Sequence, residues 1–216
     1  MLEAFGNAKT NKNDNSSRFG KFIKLQFNEG GVIIGTTIST YLLEKYRVVG
    51  QGIGERNFHI FYQLLSGIDK ETRERYFLQD ASEYNFLKGG QCLTVPSIND
   101  EREFLKTTEA MDIIGITESE QDCIFRVLSA IINLGNVEFE TQFGTDGCDV
   151  KNPEGFLSNA AKLLNVDFQK LRIAIIKPII TAGNDKVQKN FTAEQSLVIN
   201  KFSFSFWFLK FLKSTL

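Results

Sequence analysis

Asn13-Asp14-Asn15-Ser16-Ser17-Arg18-Phe19-Gly20-Lys21 is the stretch on which the reading of this chain turns. It sets amides, hydroxyls and cations side by side. It then runs straight into Phe22-Ile23-Lys24-Leu25-Gln26-Phe27, where the period-two rule puts Ile23, Leu25 and Phe27 on one face of a strand. Such groups suit a triphosphate: hydroxyls ligate Mg²⁺, amides donate to phosphate oxygens, and cations offset charge. Asn, Ser and Gly equally make plain turns, and no spacing rule within the nine residues separates the two readings.

Outward from this stretch, Asn28-Glu29-Gly30-Gly31 is a hairpin-length turn and Val32–Thr37 the returning strand. Residues Thr40–Val49 carry helical spacing and end in the Gly-rich run Gly50–Gly54. A stronger helix is predicted from Glu55, with Phe58, Phe61, Leu64 and Leu65 on one side and Gly67 as its stop. Leu93–Pro96 reads as extended, and Asn99–Ile114 as a helix closed by Gly115. Thr117-x-x-Glu120 is a capping box, in which each side chain satisfies an orphan donor at the helix start. The helix it opens carries Ile124, Val127, Leu128, Ile131 and Leu134. Residues 140–152 read as a Gly/Asp loop, 154–164 and 167–176 as helices, and Ile179–Gln188 as a hairpin around Gly183-Asn184-Asp185. Thr192-x-x-Gln195 opens a final helix. The sum is a predominantly helical α+β architecture.

Composition narrows the functional classes. Among 216 residues, 42% are hydrophobic and 24% charged, which excludes disorder and a collagen-like fibre. Lys and Arg total 25 against 26 Asp and Glu, so no global attraction to nucleic acid or an anionic membrane is expected. Cys92, Cys123 and Cys148 are widely spaced, with no CxxC and a single His, which excludes a zinc-finger pattern and points to buried thiols in a reducing compartment. Met1–Gly6 lacks the basic and apolar regions of a secretory leader. The apolar run Phe202–Leu209 is much shorter than the roughly 20 residues that span a bilayer. His59, set among apolar helix residues, reads as a packed core histidine rather than a ligand or base. Twenty Phe beside one Trp suggest a deep core or an apolar surface meant for another segment.

The ordered blocks of the chain carry a resemblance. Leu2-Glu3-Ala4-Phe5-Gly6-Asn7-Ala8-Lys9-Thr10 followed by Asn13–Lys21 resembles the switch I region of myosin motor domains. The likeness continues through Tyr41-Leu42-Leu43-Glu44-Lys45 and Gly54-Glu55-Arg56-Asn57-Phe58-His59-Ile60-Phe61-Tyr62-Gln63-Leu64-Leu65. It resumes at Val95–Asp100, Ala110–Gly115 and Leu134–Val137. Residues 1–195 thus resemble part of a myosin motor, its upper 50 kDa region, while 196–216 form a divergent apolar C-terminal helix in which only Trp207 and its neighbours echo the family.

What the resemblance implies is specific. The fold would be part of the P-loop NTPase-type myosin motor, and the cofactor Mg-ATP. Asn13 would contact the nucleotide phosphates, with Asn7 and Asn15 holding the loop. Ser17 would offer its hydroxyl to Mg²⁺, and Ser16 would lie beside the γ-phosphate and the attacking water. Arg18 would pair with a glutamate of switch II. Filamentous actin would meet Gly183, Asn184, Asp185 and Lys186, although Ile179 stands where muscle members commonly carry Arg. The remaining motor subdomains would be further partners, in a cytoplasmic, cytoskeleton-associated setting. Neither GxxxxGK[ST] nor a DxxGFE-like switch II occurs in the chain, so hydrolysis by it alone is not expected. Some of the Phe excess would then belong to subdomain interfaces. The alternative is an actin-binding remnant or truncated gene product without ATPase activity.

Overall fold

The computed structural model describes residues 1–142, 144, 147–182, 185–201 and 203, with backbone alone for 180–182, 185 and 186. The expectations placed on Gly183, Asn184, Phe202, Phe204, Phe206, Trp207, Phe208 and Phe211 lie outside the described residues. Helix (47%) outweighs strand (17%), as a predominantly helical α+β chain requires.

The helical core is assembled around two elements. Helix α2 (His59–Gly67) buries Phe61, Leu64 and Leu65 behind Phe58 at its N-cap. Its last residue is a glycine because α5 (Asp100–Ile113) crosses there: a Cβ on Gly67 would fall 2.4 Å from the Phe104 Cβ. The same crossing is pinned by a buried hydrogen bond in which Thr107 Oγ1 donates to Gln63 Oε1 over 2.9 Å. Helix α6 (Glu118–Leu134) supplies the second centre, burying Ile124, Phe125, Leu128, Ile131 and Ile132. Full burial of one such side chain is worth about 1.5–3 kcal/mol. Its start is the predicted box: Thr117 accepts from the Glu120 N–H, and Glu120 accepts from the Thr117 N–H at 2.8 Å.

Shorter elements surround these. Helix α1 (Leu2–Gly6) precedes strands β1 (Asn7–Ala8) and β2 (Ser16–Ser17). Strands β3 (Gly20–Phe27) and β4 (Ile33–Tyr41) form an antiparallel hairpin whose register slips once, between Gln26 and Phe27. Helices α3 (Lys70–Arg75) and α4 (Asn85–Lys88) follow α2. Beyond α6 come β5 (Glu138–Thr141) and β6 (Cys148–Lys151), then α7 (Phe156–Leu164) and α8 (Phe168–Ile176). Strands β7 (Ile179–Ala182) and β8 (Asp185–Gln188) form the predicted second hairpin. A helical stretch over 193–201 starts at Thr192, whose Oγ1 accepts from the Gln195 N–H.

Four expectations are corrected. Of the three thiols expected to be buried only Cys148 is, with Cys92 half-buried and Cys123 exposed. Thr40–Val49 is not one helix: pairing of Gly20 with Tyr41 draws β4 through Tyr41, and Leu42 then takes a φ of +55°, leaving only a 3₁₀ turn at Lys45–Val48. Residues 140–152 are not a plain loop. Residues 140 and 141 end β5 and 148–151 form β6, where Cys148 and Val150 are drawn into the core. Helix α2 begins at His59 rather than Glu55. The four preceding residues are spent on tertiary contacts, the Arg56 N–H donating to Lys9 O and the Asn57 amide to Val48 O and Phe86 O.

Hairpin β3–β4 is the outlier. Phe22, Ile23, Leu25, Phe27, Ile33, Ile34 and Ile38 are all exposed, on both faces. Elsewhere Phe is used as core, with Phe5, Phe58, Phe61, Phe86, Phe104, Phe125 and Phe191 buried.

Candidate functional site

The polar opening folds into a tethered loop. Asn7 pairs with Ser17 and Ala8 with Ser16, so β1 and β2 bring the ends of the loop together. The Arg18 N–H donates to Gly6 O (2.8 Å), extending that closure by one residue. At the tip, the Thr10 N–H donates to Asn13 O (2.8 Å) and the Asn13 N–H to Thr10 Oγ1 (3.2 Å), a turn of the kind Asn and Thr favour. Asn13 Oδ1 accepts from the Asn15 N–H over 2.9 Å. On its outer side the loop leans on the Gly-rich segment, where Lys9 Nζ donates to Gly54 O and Asn11 Nδ2 to Ile53 O.

Asn7, Asn13, Asn15, Ser16, Ser17 and Arg18 therefore lie on one closed loop. Asn7 is buried and donates from Nδ2 to Asn15 Oδ1 at 3.0 Å. Ser17 is exposed, its hydroxyl donating to Phe19 O at 3.1 Å. Ser16 is half-buried and its Oγ accepts from Arg18 Nη1 at 3.2 Å. That bond occupies an oxygen lone pair and leaves the Ser16 hydroxyl proton to another acceptor.

Arg18 has a partner within this chain. Its Nε donates to Glu44 Oε2 at 2.5 Å, while the Glu44 N–H donates to Arg18 O at 2.8 Å. Glu44 also accepts from Arg47 Nε at 2.8 Å, and Arg47, only 5% exposed, continues to Glu55 at 3.0 Å and Arg56 O at 3.1 Å. Two guanidiniums and two carboxylates thus form one charge-balanced chain. Burial would raise the Glu44 carboxyl, but the hydrogen bonds from Arg47 and Arg18 prevail and hold it below its ordinary value.

Behind the loop sits a buried polar layer. His59, at the start of α2, is 5% exposed and its Nε2 lies 3.2 Å from Asn15 Oδ1. Burial, reinforced by the Arg56 charge, lowers its pKa from 6.5 to about 4. Arg56 is fully buried, pairs with Asp100 Oδ2 at 2.8 Å and stacks 3.7 Å above the Tyr62 ring. Burial outweighs this pairing at Asp100, whose carboxyl lies above its usual range. Burial also pushes the Tyr62 hydroxyl up to about 12. A 710 Å³ cavity opens beside this layer, lined by Glu3, Asn15, Lys21, His59, Ser97 and Lys106 among others.

Glu44 and His59 are the contacts that sequence reasoning missed. Both were visible within quoted blocks, yet no spacing links Glu44 to Arg18 or His59 to Asn15. The second candidate region is the β7–β8 hairpin, where Asp185 pairs with Ala182 and Lys186 with Thr181. Ile179 and Val187 on it are exposed.

The model of the family "Myosin head (motor domain)" matches residues 1–207. "Myosin-J heavy chain" of Dictyostelium discoideum is 54% identical over 152 residues, which is 69% of this chain and 7% of that protein. "Myosin-2 heavy chain, non muscle" of Acanthamoeba castellanii is 47% identical over 190 residues, 88% of this chain and 12% of that protein. "Myosin-51" of Schizosaccharomyces pombe is 41% identical over 199 residues, 92% of this chain and 13% of that protein. The chain thus spans between 7% and 13% of the length of these relatives. With a family match over nearly all of its residues, the chain belongs to the myosin head (motor domain) family.

Proposed function

We propose that this chain supplies the nucleotide-sensing loop and part of the actin-facing surface of an actin-activated Mg-ATPase motor. The observation that carries the reading is the β1–β2 closure, which collects amide, hydroxyl and guanidinium groups on one loop. The donor set fits Mg-ATP. Asn13 is exposed and keeps its Nδ2 donor for phosphate oxygens, its Oδ1 being taken by the Asn15 N–H. Ser17 donates its proton to Phe19 O, so its oxygen lone pairs remain for a hard cation. When bound, Mg²⁺ neutralises charge on the phosphates. Ser16, with its oxygen occupied by Arg18, is suited to donate toward the γ-phosphate or to help relay a proton from the attacking water. Asn7 and Asn15 hold the loop.

Arg18 has a second role in this reading. Glu44 takes its Nε edge, which leaves the outer Nη edge for a glutamate of switch II. Arg47 also bonds Glu44, so that carboxylate keeps a hydrogen-bond partner when Arg18 turns to switch II. The remaining motor subdomains are the natural cover for hairpin β3–β4, since an isolated two-stranded hairpin with both faces apolar is marginal in water.

In a full-length motor, Ser17→Ala or Arg18→Ala should lower turnover on the order of a hundredfold, the effect of removing one preorganised group. Unchanged actin-activated hydrolysis in both variants overturns the roles. The exposed Ile179 and Val187 of the β7–β8 hairpin support an actin contact there, through Gly183, Asn184, Asp185 and Lys186 as the resemblance implies. Co-sedimentation of the chain with filamentous actin tests it, and no pelleting at micromolar actin removes it.

A further inference from the structure

We propose that His59 is a positioning residue for the Asn13–Ser17 loop, holding the Asn15 side chain from helix α2 so that Ser16 and Ser17 present their hydroxyls in one place. The inference rests on the reading of that loop as a phosphate contact.

Asn15 is the point where three elements meet. Its Nδ2 donates to Glu3 Oε2 of α1 at 2.9 Å. Its Oδ1 accepts from Asn7 Nδ2 of β1 at 3.0 Å and faces His59 Nε2 of α2 at 3.2 Å. The carboxylate of Glu3 can only accept, so it fixes which end of the Asn15 amide is nitrogen. Oδ1 can likewise only accept, so His59 must carry its proton on Nε2. Its Nδ1, buried and without a hydrogen-bond partner among the described residues, is then the unprotonated nitrogen. Two donors on one Oδ1 complete its coordination.

The anchor stands on a rigid base. Phe58, Ile60, Phe61 and Leu64 around His59 are fully buried, and α2 is bonded to α5 through Gln63 and Thr107. The loop is tied at its outer side through Lys9 and Asn11 and at its end through Arg18, but Ser16 and Ser17 follow Asn15 directly in a strand pair only two residues long. Loss of the His59 bond therefore leaves the core in place and loosens Asn15 and the two serines that follow it.

Amide hydrogen exchange on this chain tests the proposal, with the wild type, His59→Phe and His59→Gln compared at pH 7 without nucleotide. Phe keeps the ring and removes both nitrogens, whereas the Gln Nε2 can donate from nearly the same place. His59→Phe should speed exchange at Asn15, Ser16 and Ser17 about tenfold while exchange in α6 stays unchanged, and His59→Gln should restore protection to within about twofold (a factor of ten corresponds to about 1.4 kcal/mol). Unchanged loop exchange in His59→Phe, loop and α6 exchange rising together, or failure of Gln to rescue would each overturn the role. Should His59→Phe fail to fold, imidazole nitrogen resonances of the unmodified chain decide: a proton on Nε2 supports the anchor and a proton on Nδ1 refutes it. A separate Mg-ATP titration judges the phosphate reading, so failure of one is not mistaken for failure of the other.

Discussion

Lowering the pH from 7 to 5 should destabilise this chain through His59. The folded pKa is about 4 against 6.5 for an ordinary histidine, because burial and the Arg56 charge disfavour the imidazolium; Glu103, Glu3 and Asp14 pull weakly the other way. The unfolded chain therefore binds more protons, and stability rises with pH across this window. The contribution is complete above about pH 6.5 and is lost progressively as the pH falls toward 4. At pH 5 the unfolded histidine is almost fully protonated and the folded one almost neutral, a difference of roughly 1.5 pK units, or about 2 kcal/mol. With a urea slope of about 2 kcal/mol/M, the midpoint should fall by about 1 M. The assay is urea unfolding at several pH values for the wild type and His59→Gln, which has nothing to titrate there. The other titrating groups are shared by both proteins, so they cancel in the difference. Parallel midpoint-against-pH curves for the two proteins would refute the reasoning.

Three further outcomes follow from the packing. Arg56→Met should cost about 3–5 kcal/mol in urea unfolding by leaving the Asp100 carboxylate buried without its cation, and a second change, Asp100→Leu, should recover much of it. Thr117→Ala should cost about 1 kcal/mol by removing the α6 cap, lowering Tm by about 2–4 °C in calorimetry. Gly90→Ala should cost about 3 kcal/mol or more, because a Cβ there would fall 2.0 Å from Glu55 O; limited proteolysis should then open the Gly50–Glu55 segment.

What was legible in the sequence was local. Thr117 and Glu120, or Thr192 and Gln195, satisfy donors three residues away, so a capping box can be read without knowing the fold. The apolar period of α6 and the paired strands of Ile179–Gln188 are short-range patterns of the same kind. Misreadings fell where distant contacts compete with local preference. Tyr41-Leu42-Leu43-Glu44-Lys45 has a helical look, yet cross-strand pairing with Gly20 and the bond from the Glu44 N–H to Arg18 O hold it extended and turned. Arg56 and Asn57 are sound helix residues by pattern, but their hydrogen bonds run to Lys9, Val48 and Phe86.

The candidate site divides the same way. The sequence by itself determined the family, through ordered blocks from Leu2 to Val137, and the chemical inventory of the Asn13–Arg18 loop. Only the tertiary structure decided who holds that inventory: Glu44, 26 residues from Arg18, and His59, 44 residues from Asn15. A backbone pattern repeats every two or 3.6 residues and can be counted, whereas a side-chain contact across tens of residues has no period and exists only once the core has closed. His59 shows the difference most plainly. Its apolar neighbours predict burial, which the fold bears out, but the partner that gives the buried ring its proton arrangement comes from a loop on another element.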